Sequence, residues 1–300
     1  MEVAVIIPTR NAERELGILL PALLAGVPGG HVWAVDSSSE DGTVDLCRRW
    51  GVNVRVIDRA TFNHGGTRRW ARSLVAADVV VYMTQDAVPA DSDAIARLVE
   101  PLADASVAVS YGRQLPRAGS GSLEAFPRLF NYPERSMVKC KADLHRLGLK
   151  TFFCSNSFCA YRTDAWDAVG GFPDRVLIWE DQHIAARLLM RGYKVAYVAE
   201  ARVYHSHRYT LMDEFRRYFD TGAFLRAEAW MRDLAGEAES EGVRLVREQA
   251  AYLRQVGQVH LLPYSLLAAA VKYAGYRVGH MAPYLPRVLK RRLSQQPYFW

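Results

Sequence analysis

Four Val-rich runs, VAVIIP (3–8), HVWAVD (31–36), VNVRVID (52–58) and VVVYMT (79–84), alternate with helical stretches such as ERELGILLPALLAG and TVDLCRRWG. No other feature restricts the fold as much. Consecutive parallel strands need a crossover, and a crossover helix packs back on the sheet, so this alternation predicts a parallel sheet with helices on both faces. Each run ends in polar, turn-forming residues: PTRN (8–11), DSSSEDGT (36–43), DRATFNHGG (58–66) and QDAVP (85–89). Those ends should lie along one rim, where open α/β sheets bind ligands. The run VVVYMTQDAVP carries no charge until Asp86 and stops at Pro89, so it delivers one carboxylate to the rim, placed to hold a cation or a sugar.

Three hundred residues, half of them apolar, can bury one large core plus an appendage. Further along, VAVSYGRQLP (107–116) and FFCSNSFCAYR (152–162) read as strands, and KVAYVAEARVYHSH (194–207) as two more. Between them, the polar stretch 117–136 reads as a loop or lid, DAWDAVGGFPD as a short helix and turn, and EDQHIAARLLMRGY as a helix ended by Gly192. After Tyr209 the pattern is helical. Cys47, Cys140, Cys154 and Cys159 show no metal-type spacing, and Cys154 and Cys159 would face opposite ways on a strand, so reduced structural thiols are expected. The N-terminus lacks the charge pattern of a signal peptide and no segment reaches the ~18 apolar residues of a membrane span, so residence in the cytoplasm is expected.

Four constellations carry chemistry. Asp36, at the end of the second run, suits a ribose hydroxyl or a base, or else caps the following helix. A dinucleotide site would want GxGxxG after the first strand and none is present; a phosphate-binding P-loop is missing too. In FNHGGTRRWA (62–71), Gly65, Gly66 and Arg68 suit an anionic diphosphate at a helix start, or else form a plain turn with surface arginines. Asp86 with His205 and His207, two apart on a strand, suits a divalent ion such as Mn²⁺; Mg²⁺ would rest more on diphosphate oxygens and water. Finally, Glu180 and Asp181 open an amphipathic helix, where acids complement the helix dipole or act as a base toward a hydroxyl, with Trp179 offering a face on which sugars stack.

Taken in order, IIPTRN, VDSSSEDGT, GGTRR, TQDAVP, GGFPD with WEDQHIAARLLMRGY, and ARVYHSH resemble the inverting family 2 glycosyltransferases. In narrower detail, TFNHGGTRR, TQDAVP, HSHRYT with RRYFDTGAF, and the C-terminal segment resemble bacterial rhamnosyltransferases of surface polysaccharide assembly. The resemblance implies a GT-A fold, a Rossmann-like mixed sheet over residues 1–210 with a nucleotide-sugar half (1–90) and an acceptor half (91–210), then a helical extension (211–300). It implies donor binding by Pro8, Thr9, Arg10, Asp36, Gly66, Arg68, Gln85 and Asp86, and a divalent metal, Mg²⁺ or Mn²⁺, on Asp86 and His205. Asp181 becomes the catalytic base, supported by Glu180, with Trp179 and His207 toward the acceptor. The first acid of the family's metal motif is Thr84 here, which shifts metal binding toward the donor's diphosphate. The implied reaction moves L-rhamnose from dTDP-rhamnose to a saccharide or lipid-linked acceptor, with inversion. Rival readings are a transferase of UDP- or GDP-sugars, a nucleotidyltransferase, or a non-catalytic nucleotide-sugar-binding subunit.

Charge is placed unevenly. Residues 249–300 hold seven Lys or Arg and no acid, so the other 248 residues sum to −1 of the net +6. Interspersed tyrosines and apolar runs suit a membrane surface; the alternative is an ordinary helical appendage, packed on the catalytic domain or against a homodimer partner. No nucleic-acid motif accompanies the basic set.

Overall fold

Among residues 1–236 and 239–300, which the computed structural model describes, nine strands form one sheet. They are β1 (Val3–Thr9), β2 (Val32–Asp36), β3 (Asn53–Val56), β4 (Val79–Met83), β5 (Val88–Pro89), β6 (Val107–Leu115), β7 (Met137–Lys139), β8 (Phe158–Arg162) and β9 (Lys194–Tyr204). The order is β3-β2-β1-β4-β8-β6-β9-β5, with β7 also pairing with β9. The first four strands are parallel neighbours, as their alternation with helices predicts. β8 is antiparallel to both β4 and β6, and β6 is parallel to β9. Six strands, β1 to β4, β6 and β9, therefore point the same way and deliver their ends to a single rim. β4 explains its own composition: Val79, Val81 and Met83 enter one core cluster and Val80 and Tyr82 the other, so both faces exclude water.

Helices α1 (Glu13–Leu24), α2 (Thr43–Arg49), α3 (His64–Arg72) and α4 (Ala94–Val99) link the first strands. α5 (Ser122–Asn131), α6 (Leu144–Leu147), α7 (Thr163–Ala168) and α8 (Glu180–Met190) follow, and α9 (Leu211–Ala227), α10 (Ala229–Ala235), α11 (Glu239–Gln255), α12 (Leu262–His280) and α13 (Arg287–Leu293) complete the chain.

Three sequence expectations are corrected. The stretch 194–207 is one strand, not two: across β6, Gly112 pairs with Val198 but Arg113 with Arg202, so the polar interruption is a bulge inside β9. The expected loop at 117–136 contains α5, which buries Ala125 and Phe126; Pro127 inside the helix hides its signal. The strand expected over 152–162 starts only at Phe158, so Cys154 and Cys159 are not on opposite faces but share one buried cluster. All four cysteines are unpaired.

In the C-terminal helices, α9 and α12 cross at close range. A Cβ on Gly279 would stand 2.1 Å from the Phe219 carbonyl oxygen, so only glycine admits this approach. Among the described residues no helix is long and apolar enough to cross a membrane.

Candidate active site

The rim is first stitched together by its own side chains. Asp36 is 1% exposed and accepts from the Thr9 hydroxyl at 3.0 Å, the Ser39 hydroxyl at 2.5 Å and the Ser39 amide at 2.8 Å. Its carboxylate thus shapes the loop after β2 and ties it to the end of β1. Gln85 clasps the backbone of Arg10, accepting from its amide at 2.9 Å and donating to its carbonyl at 3.3 Å. Arg10 in turn donates to the Ser37 carbonyl at 3.2 Å. Pro8 sits in register with Val35 on the neighbouring strand. These residues meet at the ends of β1, β2 and β4, with Asp36 and Gln85 engaged in holding the rim.

Beyond β4, the turn carrying Asp86 meets the segment after β9. Asp86, His205 and His207 each offer a donor atom, all within 4.8 Å of one another. His205 Nδ1 lies 2.8 Å from Gln114 Oε1, which requires that nitrogen to carry the proton, since the amide oxygen only accepts. Nε2 therefore presents its lone pair, 3.4 Å from Asp86 Oδ1; it is buried and has no hydrogen-bond partner. His207 Nε2 stands 3.6 Å from Asp86 Oδ2. Burial lowers the basicity of both imidazoles, that of His207 to about 4, so both are neutral ligands at pH 7. Burial opposes ionisation of Asp86, but in acid, where both imidazoles are protonated, the hydrogen bond and charge of His205, then the charge of His207, outweigh it and hold the carboxyl below its usual range. An orphaned buried imidazole nitrogen beside a carboxylate and a second imidazole fits a divalent ion of the Mn²⁺ type. His207, expected toward the acceptor, belongs with this cluster instead: the chain leaves β9 at Tyr204, and the two rings meet edge to face at 4.6 Å over the same carboxylate.

The acid pair opens α8. Trp179 caps that helix in the left-handed region, φ 61°, a conformation rare for a bulky residue and one that surrounding packing must enforce. Glu180 is 7% exposed and pairs with Arg68 at 3.1 Å, while Asn156 donates to it at 3.1 Å. Burial works against its ionisation, but Arg68 and then His64 prevail and hold it below the usual carboxylate range. Asp181 is half-buried and accepts from the amides of Asn156 at 3.0 Å and Gln182 at 2.8 Å. Burial first, and then the charge of Glu180, push Asp181 up to about 7, the range of a working general base. Two adjacent carboxylates held apart in basicity imply two roles.

Three residues expected to bind the diphosphate, Gly65, Gly66 and Arg68, are committed elsewhere. The Gly65 and Gly66 amides both donate to the Asn63 side chain, and a Cβ on Gly66 would meet the Asp174 carbonyl oxygen at 2.4 Å. These glycines let α3 approach the 173–176 loop, and both of their amides are already engaged. Arg68 is 4% exposed, and its guanidinium also donates to the His64 carbonyl at 3.0 Å. Its charge serves Glu180.

A cavity of about 1280 Å³ opens beside the acid pair, lined among others by Trp179 and Asp181 from α8, Arg128 from α5 and Lys272 from α12. Trp179 packs on Phe224 with ring centres 5.5 Å apart and still lines the cavity. Sequence reasoning missed Asn156, whose Oδ1 also accepts from Tyr161 at 2.9 Å, and Arg117, which pairs with Asp86 at 3.2 Å. Neither stands in a local motif; each acts on an acid far along the chain.

The family described as "Glycosyltransferase like family 2" matches residues 1–219. The chain is 40% identical over 307 residues to the O-antigen chain rhamnosyltransferase RfbN of Salmonella typhimurium, covering 100% of this chain and 96% of that one. It is 40% identical over 267 residues to WbaN of Salmonella anatum, also an O-antigen chain rhamnosyltransferase, covering 89% and 84%. Among solved structures, the mannosyltransferase PcManGT from Pyrobaculum calidifontis in complex with GDP-Man and Mn²⁺ superposes with a TM-score of 0.57 at 21% identity, over 99% of this chain and 84% of that one. TarS 1–349 of S. aureus in complex with UDP-GlcNAc gives 0.54 at 15% identity, over 95% and 92%.

Proposed function

Since this chain belongs to the family 2-like glycosyltransferases and has their GT-A fold, we propose that it transfers L-rhamnose from dTDP-β-L-rhamnose to a lipid-linked saccharide acceptor in cell-surface polysaccharide assembly. The observation that carries the rhamnosyl reading is the 40% identity to RfbN, which spans the whole chain, helical extension included.

In this reading residues 1–90 form the donor half, 91–210 the acceptor half and 211–300 the extension. Asp181 takes the proton from an acceptor hydroxyl. That oxygen forms a bond to the anomeric carbon from the face opposite the diphosphate; the carbon–oxygen bond to the diphosphate breaks and its electron pair leaves with the nucleotide. The anomeric configuration inverts, and a β-linked donor yields an α-rhamnoside. Glu180, kept ionised by Arg68, raises the basicity of Asp181, while the Asn156 amide orients it. Asp86, His205 and His207 would hold a divalent ion, Mn²⁺ before Mg²⁺, which when bound neutralises charge on the diphosphate. Trp179 supplies an apolar wall for the acceptor sugar.

Purified protein incubated with dTDP-β-L-rhamnose, UDP-sugars and GDP-sugars, with and without Mn²⁺ and a lipid-linked acceptor, tests this. Rhamnosyl transfer with release of dTDP is expected. Preference for another donor overturns the rhamnosyl assignment, and release of pyrophosphate instead of a nucleoside diphosphate overturns glycosyl transfer itself.

A further inference from the structure

Beside a divalent ion, the departing diphosphate would be stabilised further by a cation from the protein, and Arg68 is committed to Glu180. We propose that Arg128 is that cation: α5 presents its guanidinium to the β-phosphate of the leaving nucleoside diphosphate. The inference rests on the donor reading above and assigns a residue within it.

The placement follows from one helix face. Glu124 and Arg128 are four residues apart on α5 and so lie on the same side. Glu124 Oε1 accepts from the Ser206 hydroxyl at 2.5 Å and from Ser120 at 3.0 Å. Ser206 stands between His205 and His207, so this clasp docks α5 against the Asp86 cluster. One turn on, Arg128 lines the cavity that holds Asp181. It therefore stands one helical turn from the clasp at the metal-suited cluster and on the wall of the cavity that holds the base, the side on which a group reaching a diphosphate between them would lie.

Arg128 is also available. It is half-buried, and among the described residues its side chain makes no ion pair and no hydrogen bond. Its nearest acid on the helix, Glu124, is taken by the two serines. A guanidinium kept partly out of water without a partner is costly, and its forked donors match a phosphate. As the anomeric carbon–oxygen bond breaks, negative charge grows on the β-phosphate oxygens, and N–H donors placed there favour the transition state over the ground state.

The test separates this role from an acceptor-binding or purely structural one. Wild type, Arg128→Ala and Arg128→Lys are titrated calorimetrically with dTDP and dTMP, and kcat and acceptor KM are measured. Arg128→Ala is expected to lose about 10²–10³-fold in kcat, as on removal of a single charge-stabilising donor, with weakened dTDP binding, unchanged dTMP binding and unchanged acceptor KM. Arg128→Lys should recover part of the loss. Equal dTDP affinity in wild type and Arg128→Ala overturns the assignment alone, as does a rise confined to acceptor KM, which would mark a phosphate of the acceptor as the ligand. Wild type that binds neither dTDP, UDP nor GDP overturns the donor reading together with it.

Discussion

As the proposed base, Asp181 would couple activity to stability through a single proton. Its carboxyl is raised to about 7 by burial and by Glu180, so the folded protein resists its ionisation. With Asp181 as the proposed base, transfer requires the ionised form, and kcat/KM should climb as pH rises toward 7 and level off above it. Stability runs the opposite way: with a folded value above the unfolded one, the contribution is present below about pH 4 and is lost as pH rises through 7. Asp181→Asn should therefore lower kcat by about 10²–10⁴-fold and raise Tm at pH 8 more than at pH 4, read by activity and thermal scans. A pH-independent Tm difference would refute the ionisation argument. At the metal-suited cluster, Gln114 fixes the tautomer of His205 without being a ligand. Gln114→Ala leaves all three donors in place and should weaken Mn²⁺ binding roughly 10–100-fold, measured by electron paramagnetic resonance. Asp86, Asp181 and His205 stood out in the sequence because each sits in a short motif at a strand or helix end. Gln114 and Asn156 did not, because their partners lie 91 and 25 residues away and only the folded sheet joins them.

At the scale of elements, the alternation of short Val-rich runs with helical stretches located the first four strands, of which β1, β2 and β4 are largely buried on both faces while β3 is partly exposed. The same logic failed where an element carries an interruption. The bulge in β9 broke one strand into two apparent ones, and Pro127 with its polar neighbours disguised α5 as a loop. That disguise mattered, since α5 brings Glu124 to Ser206 and Arg128 to the cavity. The α9–α12 crossing was likewise illegible: Gly279 reads as an isolated glycine late in a helix until its distance to the Phe219 backbone is known. Its demand is testable. Gly279→Leu must push α12 away from α9 and uncover Phe219 and Ala223, which are buried there. Overpacking of this kind costs about 1–3 kcal/mol, read as a lower urea midpoint. An unchanged midpoint would mean that the two helices separate freely.

The whole molecule has a lopsided surface whose partner is argued by charge and apolarity together. The candidate active site lies in the part of the chain that sums to −1, while residues 249–300 hold seven cations and no acid. On α12, Leu266, Ala270, Tyr273 and Arg277 recur at helical spacing and are exposed, opposite the small residues Ser265, Gly275 and Gly279 that are buried. On α13, Val288 is 67% exposed among Arg287, Arg291 and Arg292. Apolar side chains in water beside a cluster of basic residues suit an interface of anionic lipid, where a lipid-linked acceptor would also reside. Basic residues near such a surface contribute ~1 kcal/mol each, so replacing Arg287, Arg291 and Arg292 by Gln should lower partitioning onto phosphatidylglycerol vesicles by roughly two orders of magnitude. Leu266→Ser with Leu267→Ser should weaken the same binding with little change in its salt dependence, because those residues act by burial. Vesicle co-sedimentation at low and high salt reads both effects. If neither set alters sedimentation while turnover of a soluble acceptor analogue stays normal, the basic extension is only a packed appendage, and the acceptor must reach Asp181 without help from the membrane.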